Sequence, residues 1–226
     1  MAGGVRKVYG SLECPNTLKV LACIFEHSLD FQFIPINLKE GEHKREPFLS
    51  LNPFGVVPVL EHDGYKQFEC RAIIRAMAHE FSSSLQDNDL IYWDERKQAI
   101  VSNWVDVEDH KFEPPALELI NELAIKPENG LEPDETVVAK AEAKLGAVLD
   151  VYEARLGKFK YLAADKFTIA DLLHLPNLQS LLGTARGKKL IESRPKVSLW
   201  CSQILARPAW SSVLQMKNKP PQSTHL

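Results

Sequence analysis

Apolar residues recur along this chain with two different periods, and the change from one to the other divides it. Val5 to Tyr9 is a β-rich run that reads as a strand, and Asn16 to Ser28 follows as a helix whose apolar face is Val20, Leu21, Cys23, Ile24 and Phe25. Asp30 to Leu38 alternates as a strand does, with Pro35 marking an edge or an irregular point. A polar segment, Lys39 to Glu46, reads as a solvated and partly helical surface run. Asn52 to Glu61 then passes from turn residues into a short apolar strand interrupted by Pro58, for which an edge position, a bulge or a cis peptide would account. His62-Asp63-Gly64 signals a hairpin into Tyr65–Phe68, and Cys70 to Phe81 returns to helical spacing. The predicted order is β-α-β-(α)-β-β-α.

Residues 83–90 have linker composition, and no strand pattern follows them. Asp94 to Lys111 is predicted as a helix striped by Ala99, Ile100, Trp104 and Val107. Pro114-Pro115 should break or kink it before Ala116 to Ile125 resumes. Pro133 to Leu156 carries Val137, Ala141, Leu145, Val148, Leu149, Tyr152 and Leu156 at helical spacing, as a bundle helix would. Thr168-Ile169-Ala170-Asp171 has the form of a capping box and opens a leucine-rich helix interrupted by Pro176. Pro195 begins a helix through Leu205, and Pro208 begins the last, through about Met216, with a polar tail expected to fray from Lys217. The expectation is an α/β domain over 1–82, a linker over 83–90 and an all-helical domain over 91–226.

Composition narrows the function. Of the 226 residues, 45% are hydrophobic and 25% charged, which suits a folded globular protein rather than a disordered or fibrous one. A net charge of -3 without any Lys/Arg-rich run leaves no footprint for nucleic acid. No apolar run is long enough to span a membrane and the N-terminus lacks a secretory h-region, so a cytoplasmic protein is expected. The four cysteines, Cys14, Cys23, Cys70 and Cys201, are too scattered for a disulfide framework or a metal site.

One of those cysteines is placed differently from the rest. Cys14-Pro15 falls where the first strand gives way to the first helix, and proline suits a first helical position because its missing N–H has no intrahelical partner to lose. A thiol there would face unpaired amides and the positive end of the helix dipole, an environment that favours thiolate over thiol. With Thr17 where a dithiol oxidoreductase would carry a second cysteine, redox chemistry at Cys14 would be of the monothiol kind and would need an external thiol to resolve its mixed disulfide.

Several stretches together resemble one family. Gly41 to Leu49, Asn52-Pro53-Phe54-Gly55 with Val57-Pro58, Phe68 to Ile73, Phe112-Glu113-Pro114-Pro115, Leu149 to Leu156 and Ala206 to Trp210 resemble the soluble glutathione transferases, and within them the plant phi class. The resemblance implies a thioredoxin-like N-terminal domain that binds glutathione as cosubstrate without a metal. It further implies an all-helical domain that completes a pocket for an apolar second substrate, in a homodimer to whose surface Tyr65 contributes. Val57, before a cis Pro58, would pair its backbone with the cysteinyl unit of glutathione. Glu69 and Cys70 would receive the γ-glutamyl end, and His43 and Lys44 the glycyl carboxylate. Val56 replaces a side-chain amide and Cys70 a serine of the family pattern, weakening a contact at each. Leu12 and the helix ending at Ile125 are candidates to line the apolar pocket.

Cys14 aligns with the serine that stabilises bound glutathione thiolate in phi enzymes, while Cys14-Pro15 resembles the start of the cysteine-type omega, lambda and dehydroascorbate reductase classes. The leading expectation is thiol transfer through Cys14: reduction of mixed disulfides, deglutathionylation or dehydroascorbate reduction. The alternatives are conjugation of glutathione to hydrophobic electrophiles, with accompanying peroxidase activity, and a non-catalytic carrier or interaction module.

Overall fold

The computed structural model describes residues 5–82 and 90–219. They form two compact units, one built from the residues up to Phe81 together with those from Pro208 on, the other from Ser82 to Arg207. The last helix therefore belongs with the N-terminal unit, whereas the sequence pattern had grouped all of 91–226 together. Of the expected linker over 83–90, all but Leu90 lies outside the described residues.

The first unit is a four-stranded sheet in the order β2-β1-β3-β4. Its strands are β1 (Arg6–Gly10), β2 (Phe31–Pro35), β3 (Val59–His62) and β4 (Tyr65–Phe68). β1 pairs parallel with β2 and antiparallel with β3, and β3 pairs antiparallel with β4. Helix α1 (Pro15–Glu26) joins β1 to β2, and α2 (Cys70–Glu80) follows β4. Pro35 closes β2 on an edge, where its missing N–H costs no ladder bond. Asp63 and Gly64 both take positive φ, as a two-residue hairpin loop between twisted strands requires.

Successive residues of a strand face opposite sides, so β1 sends the fully buried Val8 one way and Tyr9 the other. Tyr9 joins Ile34, Ile36, Phe48, Val57 and Val59 in one core cluster, against which Cys14 packs. The peptide before Pro58 is cis, one of the three explanations open from sequence, and Glu46-Pro47 is cis as well.

In the second unit α3 (Glu95–Val107) and α4 (Glu113–Ile120) are not separated at Pro114-Pro115 as expected. A π-helical turn over Glu108–Phe112 carries the chain between them, and a second over Asn121–Ile125 leads into the short α5 (Lys126–Glu128). Each wide turn lies just before prolines, Pro114-Pro115 and Pro127, and the changed register lets the chain pass residues with no N–H without leaving the helix. α6 (Glu135–Leu156) starts at Asp134, whose carboxylate accepts from the Thr136 and Val137 amides. It buries Val138, Ala141, Leu145, Leu149, Tyr152 and Leu156, with Val138 inside rather than Val137. The leucine-rich segment is two helices, α7 (Ile169–Leu172) and α8 (Leu175–Leu182), because Pro176 sits in the first turn of the second. α9 (Ala185–Glu192) has no counterpart in the sequence pattern, and α10 (Pro195–Leu205) matches its predicted bounds. α11 (Pro208–Asn218), in the first unit, runs past Met216 and takes Lys217 into its last turn. No helix among the described residues is long and apolar enough to cross a membrane.

Asp171 is the polar centre of the second unit. Fully buried, it accepts from the Leu162 amide at 3.0 Å, the Thr168 amide at 3.0 Å, Thr168 Oγ1 at 3.2 Å and Trp200 Nε1 at 2.9 Å. Burial raises its pKa to about 6 against the opposing pull of those donors. A carboxyl raised in the folded state contributes stability that is complete below its unfolded pKa of about 3.9 and is lost as pH rises through the folded value. Asp171→Ala, which strands four donors, should cost about 3 kcal/mol or more in urea unfolding. The cost of Asp171→Asn should shrink between pH 4 and pH 7, and a cost that instead grows with pH would contradict the assigned direction of the shift.

Candidate functional site

Register brings the candidate residues of the first unit to one end of its sheet. Tyr9 of β1 stands opposite Val59 of β3, and Val59 opposite Phe68 of β4. One residue beyond that row, the three strands deliver Gly10 and the loop to Cys14, the Val57-Pro58 peptide, and Glu69 with Cys70. The N-termini of α1 and α2 open at the same end, each with the partial positive charge of unpaired amides.

The loop to Cys14 is fixed from inside. Thr17, fully buried in the first turn of α1, accepts the Ser11 N–H on Oγ1 at 3.3 Å. A Cβ on Gly10 would lie 2.5 Å from Thr17 Cγ2, so only glycine lets strand and helix approach this closely. The Cys14 N–H donates to Ser11 O at 3.0 Å, which completes a turn. Cys14 is the N-cap of α1 and Pro15 its first helical residue. The half-buried thiol does not cap the helix, contrary to the expectation that it would face the first-turn amides: Sγ donates to Val57 O at 3.9 Å. Its orientation is set by the facing loop rather than by its own helix.

That facing loop is built on Asn52, fully buried, whose Nδ2 donates to Val56 O at 2.8 Å and whose Oδ1 accepts the Phe54 N–H at 3.1 Å. The Val56 side chain is exposed, while Val57 and Pro58 are buried. Gly55, at φ 58°, would put a Cβ 2.6 Å from His43 O, so the 3₁₀ turn Glu42–Lys44 lies directly against it. Lys44 Nζ donates to Phe54 O at 3.2 Å, and His43 Nδ1 is buried with no hydrogen-bond partner among the described residues. A buried ring nitrogen without a partner is costly.

Glu69, at φ 68°, holds a backbone conformation that side-chain-bearing residues avoid, at a cost of about 1–3 kcal/mol. Its own side chain is exposed, whereas Cys70 behind it is buried. Cys14, His43, Lys44, Val56, Val57, Pro58, Glu69 and Cys70 thus all lie in the first unit at or beside one sheet end. Leu12 is a half-buried member of the loop there, and Ile125 is an exposed residue of the second unit. Of the other thiols, Cys23 and Cys201 are buried and held protonated by desolvation. Among the described residues no three His, Cys, Asp or Glu side chains gather as a metal set would.

Sequence reasoning missed the supports of this site. Asn52 and Thr17 carry it through long-range contacts, although an Asn-Pro turn and a threonine one turn into a helix were visible as local signals. The ion pair of Glu13 with Lys217, at 3.1 Å, had no local signal at all.

The models of two domains match this chain, the glutathione S-transferase N-terminal domain over residues 4–77 and the glutathione S-transferase C-terminal domain over residues 112–208. A glutathione S-transferase of Hyoscyamus muticus is 47% identical, over 93% of this chain and 98% of its own. The crystal structure of glutathione transferase F7 from Populus trichocarpa is similar with a TM-score of 0.88 and 39% identity, covering 95% of this chain and 100% of that one. Glutathione S-transferase I from maize, in complex with an atrazine glutathione conjugate, is similar with a TM-score of 0.86 and 31% identity, covering 96% and 100%.

Gly10→Ala should destabilise the first unit by about 1–3 kcal/mol through overpacking against Thr17. Thr17→Ser, which removes the nearest atom and keeps the hydroxyl, should recover part of that loss in the double variant, read as denaturation midpoints.

Proposed function

Because the chain belongs to the glutathione S-transferases, and within them to the phi class, we propose that it works on glutathione through Cys14 as a thiol transferase. The observation that carries the reading is the place of that thiol, half-buried at the N-cap of α1 and 3.9 Å from the carbonyl of Val57.

Glutathione lies along Val57 as an added strand, with its glycyl carboxylate at His43 and Lys44 and its γ-glutamyl end at Glu69 and the N-terminus of α2. The 3₁₀ turn that carries His43 and Lys44 beside Gly55 and the costly backbone of Glu69 at the start of α2 support those two ends. A ligand on the Val57 backbone competes with the Sγ–H···O contact and releases the thiol. Cys14, its proton given up to water, then attacks as thiolate the glutathionyl sulfur of a bound mixed disulfide. A Cys14–glutathione disulfide forms, the original disulfide breaks, and the departing thiolate takes a proton from water. A second glutathione, as thiolate, attacks the glutathionyl sulfur of that adduct, giving oxidised glutathione and free Cys14 thiolate. Thr17 cannot perform the second step, so it falls to glutathione.

Conjugation of glutathione to an apolar electrophile is the second reading. It is favoured by the donor role of the Cys14 thiol toward Val57 O, which mimics a hydroxyl, and by the conjugate bound to the maize relative. The proposal includes a homodimer, supported by the exposed Phe54 and Tyr65, and a cytoplasmic setting where glutathione is kept reduced.

Cys14→Ser and Cys14→Ala should each lose about a hundredfold or more of the rate on a glutathione mixed disulfide. Cys14→Ser should gain activity on an aryl halide, because a hydroxyl donates to bound glutathione thiolate more strongly than a thiol does. Full thiol transfer by Cys14→Ser would remove Cys14 from the role of nucleophile.

A further inference from the structure

We propose that Lys217, on the last turn of α11, sets the reactivity of Cys14 by neutralising the carboxylate of Glu13 that precedes it. The inference rests on Cys14 being the reacting thiol.

Glu13 lies beside Cys14 in the entry loop, its N–H donating to Ser11 Oγ at 3.3 Å and its carboxylate meeting Lys217 Nζ at 3.1 Å. α11 packs along α1, and the C-terminal end of a helix is where a cation is favoured by the dipole. The helix is thus seated with its terminal lysine on the acidic residue next to the thiol. Consecutive Cα atoms stand about 3.8 Å apart, so the Glu13 side chain stays near Cys14, and a bare carboxylate there opposes negative charge on sulfur. Paired with an ammonium, it loses most of that effect.

The other charges near Cys14 are answered in place. The core wall behind it brings Tyr9, whose hydroxyl donates to Glu61 Oε2 at 2.8 Å, and Glu61 also lies 3.6 Å from Lys7 Nζ. Lys44 from the 3₁₀ turn donates to Phe54 O, and the buried Lys19 of α1 has a partner of its own. His43 beside Lys44, and Glu69 with Cys70 at the start of α2, are the groups set toward the ligand. Glu13 is the carboxylate adjacent to the thiol in the chain, and Lys217 is its counter-ion.

The reactivity of Cys14 is best read directly, as the rate of its alkylation by iodoacetamide, a neutral reagent that charge does not steer, with the adduct mapped to Cys14. At pH 7 and low salt, Lys217→Gln should slow alkylation about threefold. Glu13→Gln should speed it by a similar factor, and the double variant should return to within about twofold of wild type. High salt should erase the differences, since the pair is partly exposed. If Lys217→Gln slows alkylation equally in the Glu13→Gln background, the lysine acts by holding α11 in place and the inference falls. It falls too if alkylation is unchanged in every variant, a result that leaves thiol transfer by Cys14 standing. Thiol transfer retained by Cys14→Ser would sink the functional reading without touching the alkylation comparison.

Discussion

The row of Tyr9, Val59 and Phe68 across three strands is the constraint on which the first unit depends. A slip of one residue in β3 would turn Val59 from the core to the other face and carry the Val57-Pro58 peptide away from Cys14. The row is held because both faces of the sheet are filled, Val8 on one and the Tyr9 cluster on the other, so neither neighbouring register buries the same side chains. Three chain segments with no sequence relation to one another leave the sheet at this row, and candidate site residues sit on all three. Local devices then set the last ångströms: Thr17 under Gly10 and Ser11, Asn52 under Val56, and the positive-φ turn at Gly55 against His43.

The second unit solves a different problem, that of keeping polar groups inside a bundle. Besides Asp171, it buries a ring cluster in which the Tyr152 hydroxyl lies 2.9 Å from His174 Nε2 while His174 Nδ1 lies 2.8 Å from Ala170 O. Because a carbonyl can only accept, Nδ1 carries the proton, and Nε2 is left to accept from Tyr152. Phe112, Tyr152 and Trp200 enclose that imidazole. Such a network is stable only if complete, and this one is reached from α6, α7, α10 and the loop at Leu162, so its groups tie together segments that apolar packing alone would let slide.

Amphipathic elements were legible in the sequence because a single face decides them. β2, α1, α2, α6 and α10 carry their period openly, and the Asp-Gly hairpin and the Thr168–Asp171 start are local chemistry. What escaped was decided at long range. α9 has only Gly187 and Ile191 inside and is fixed by tertiary partners, with Arg186 bound to Glu142 and Glu135 on α6. The π turns depend on register shifts that no periodicity announces, and α11 looks like any bundle helix until its packing on α1 is seen. In the candidate site, residue types and family resemblance pointed to Cys14, but the direction of its thiol follows from a loop more than forty residues away.

That direction bears on what a cysteine at position 14 changes. A hydroxyl in the same place, on a shorter bond to Cβ, would not reach Val57 O, because O–H···O hydrogen bonds close at about 2.5–3.0 Å. A thiol is a weak donor with a long reach, and at 3.9 Å it gives up little when the carbonyl is taken by something better. The backbone of Val57 is also where an added strand of glutathione would pair. In the proposed complex one set of atoms would therefore both hold the thiol and receive the peptide, so that binding and release would become a single exchange of hydrogen-bond partners.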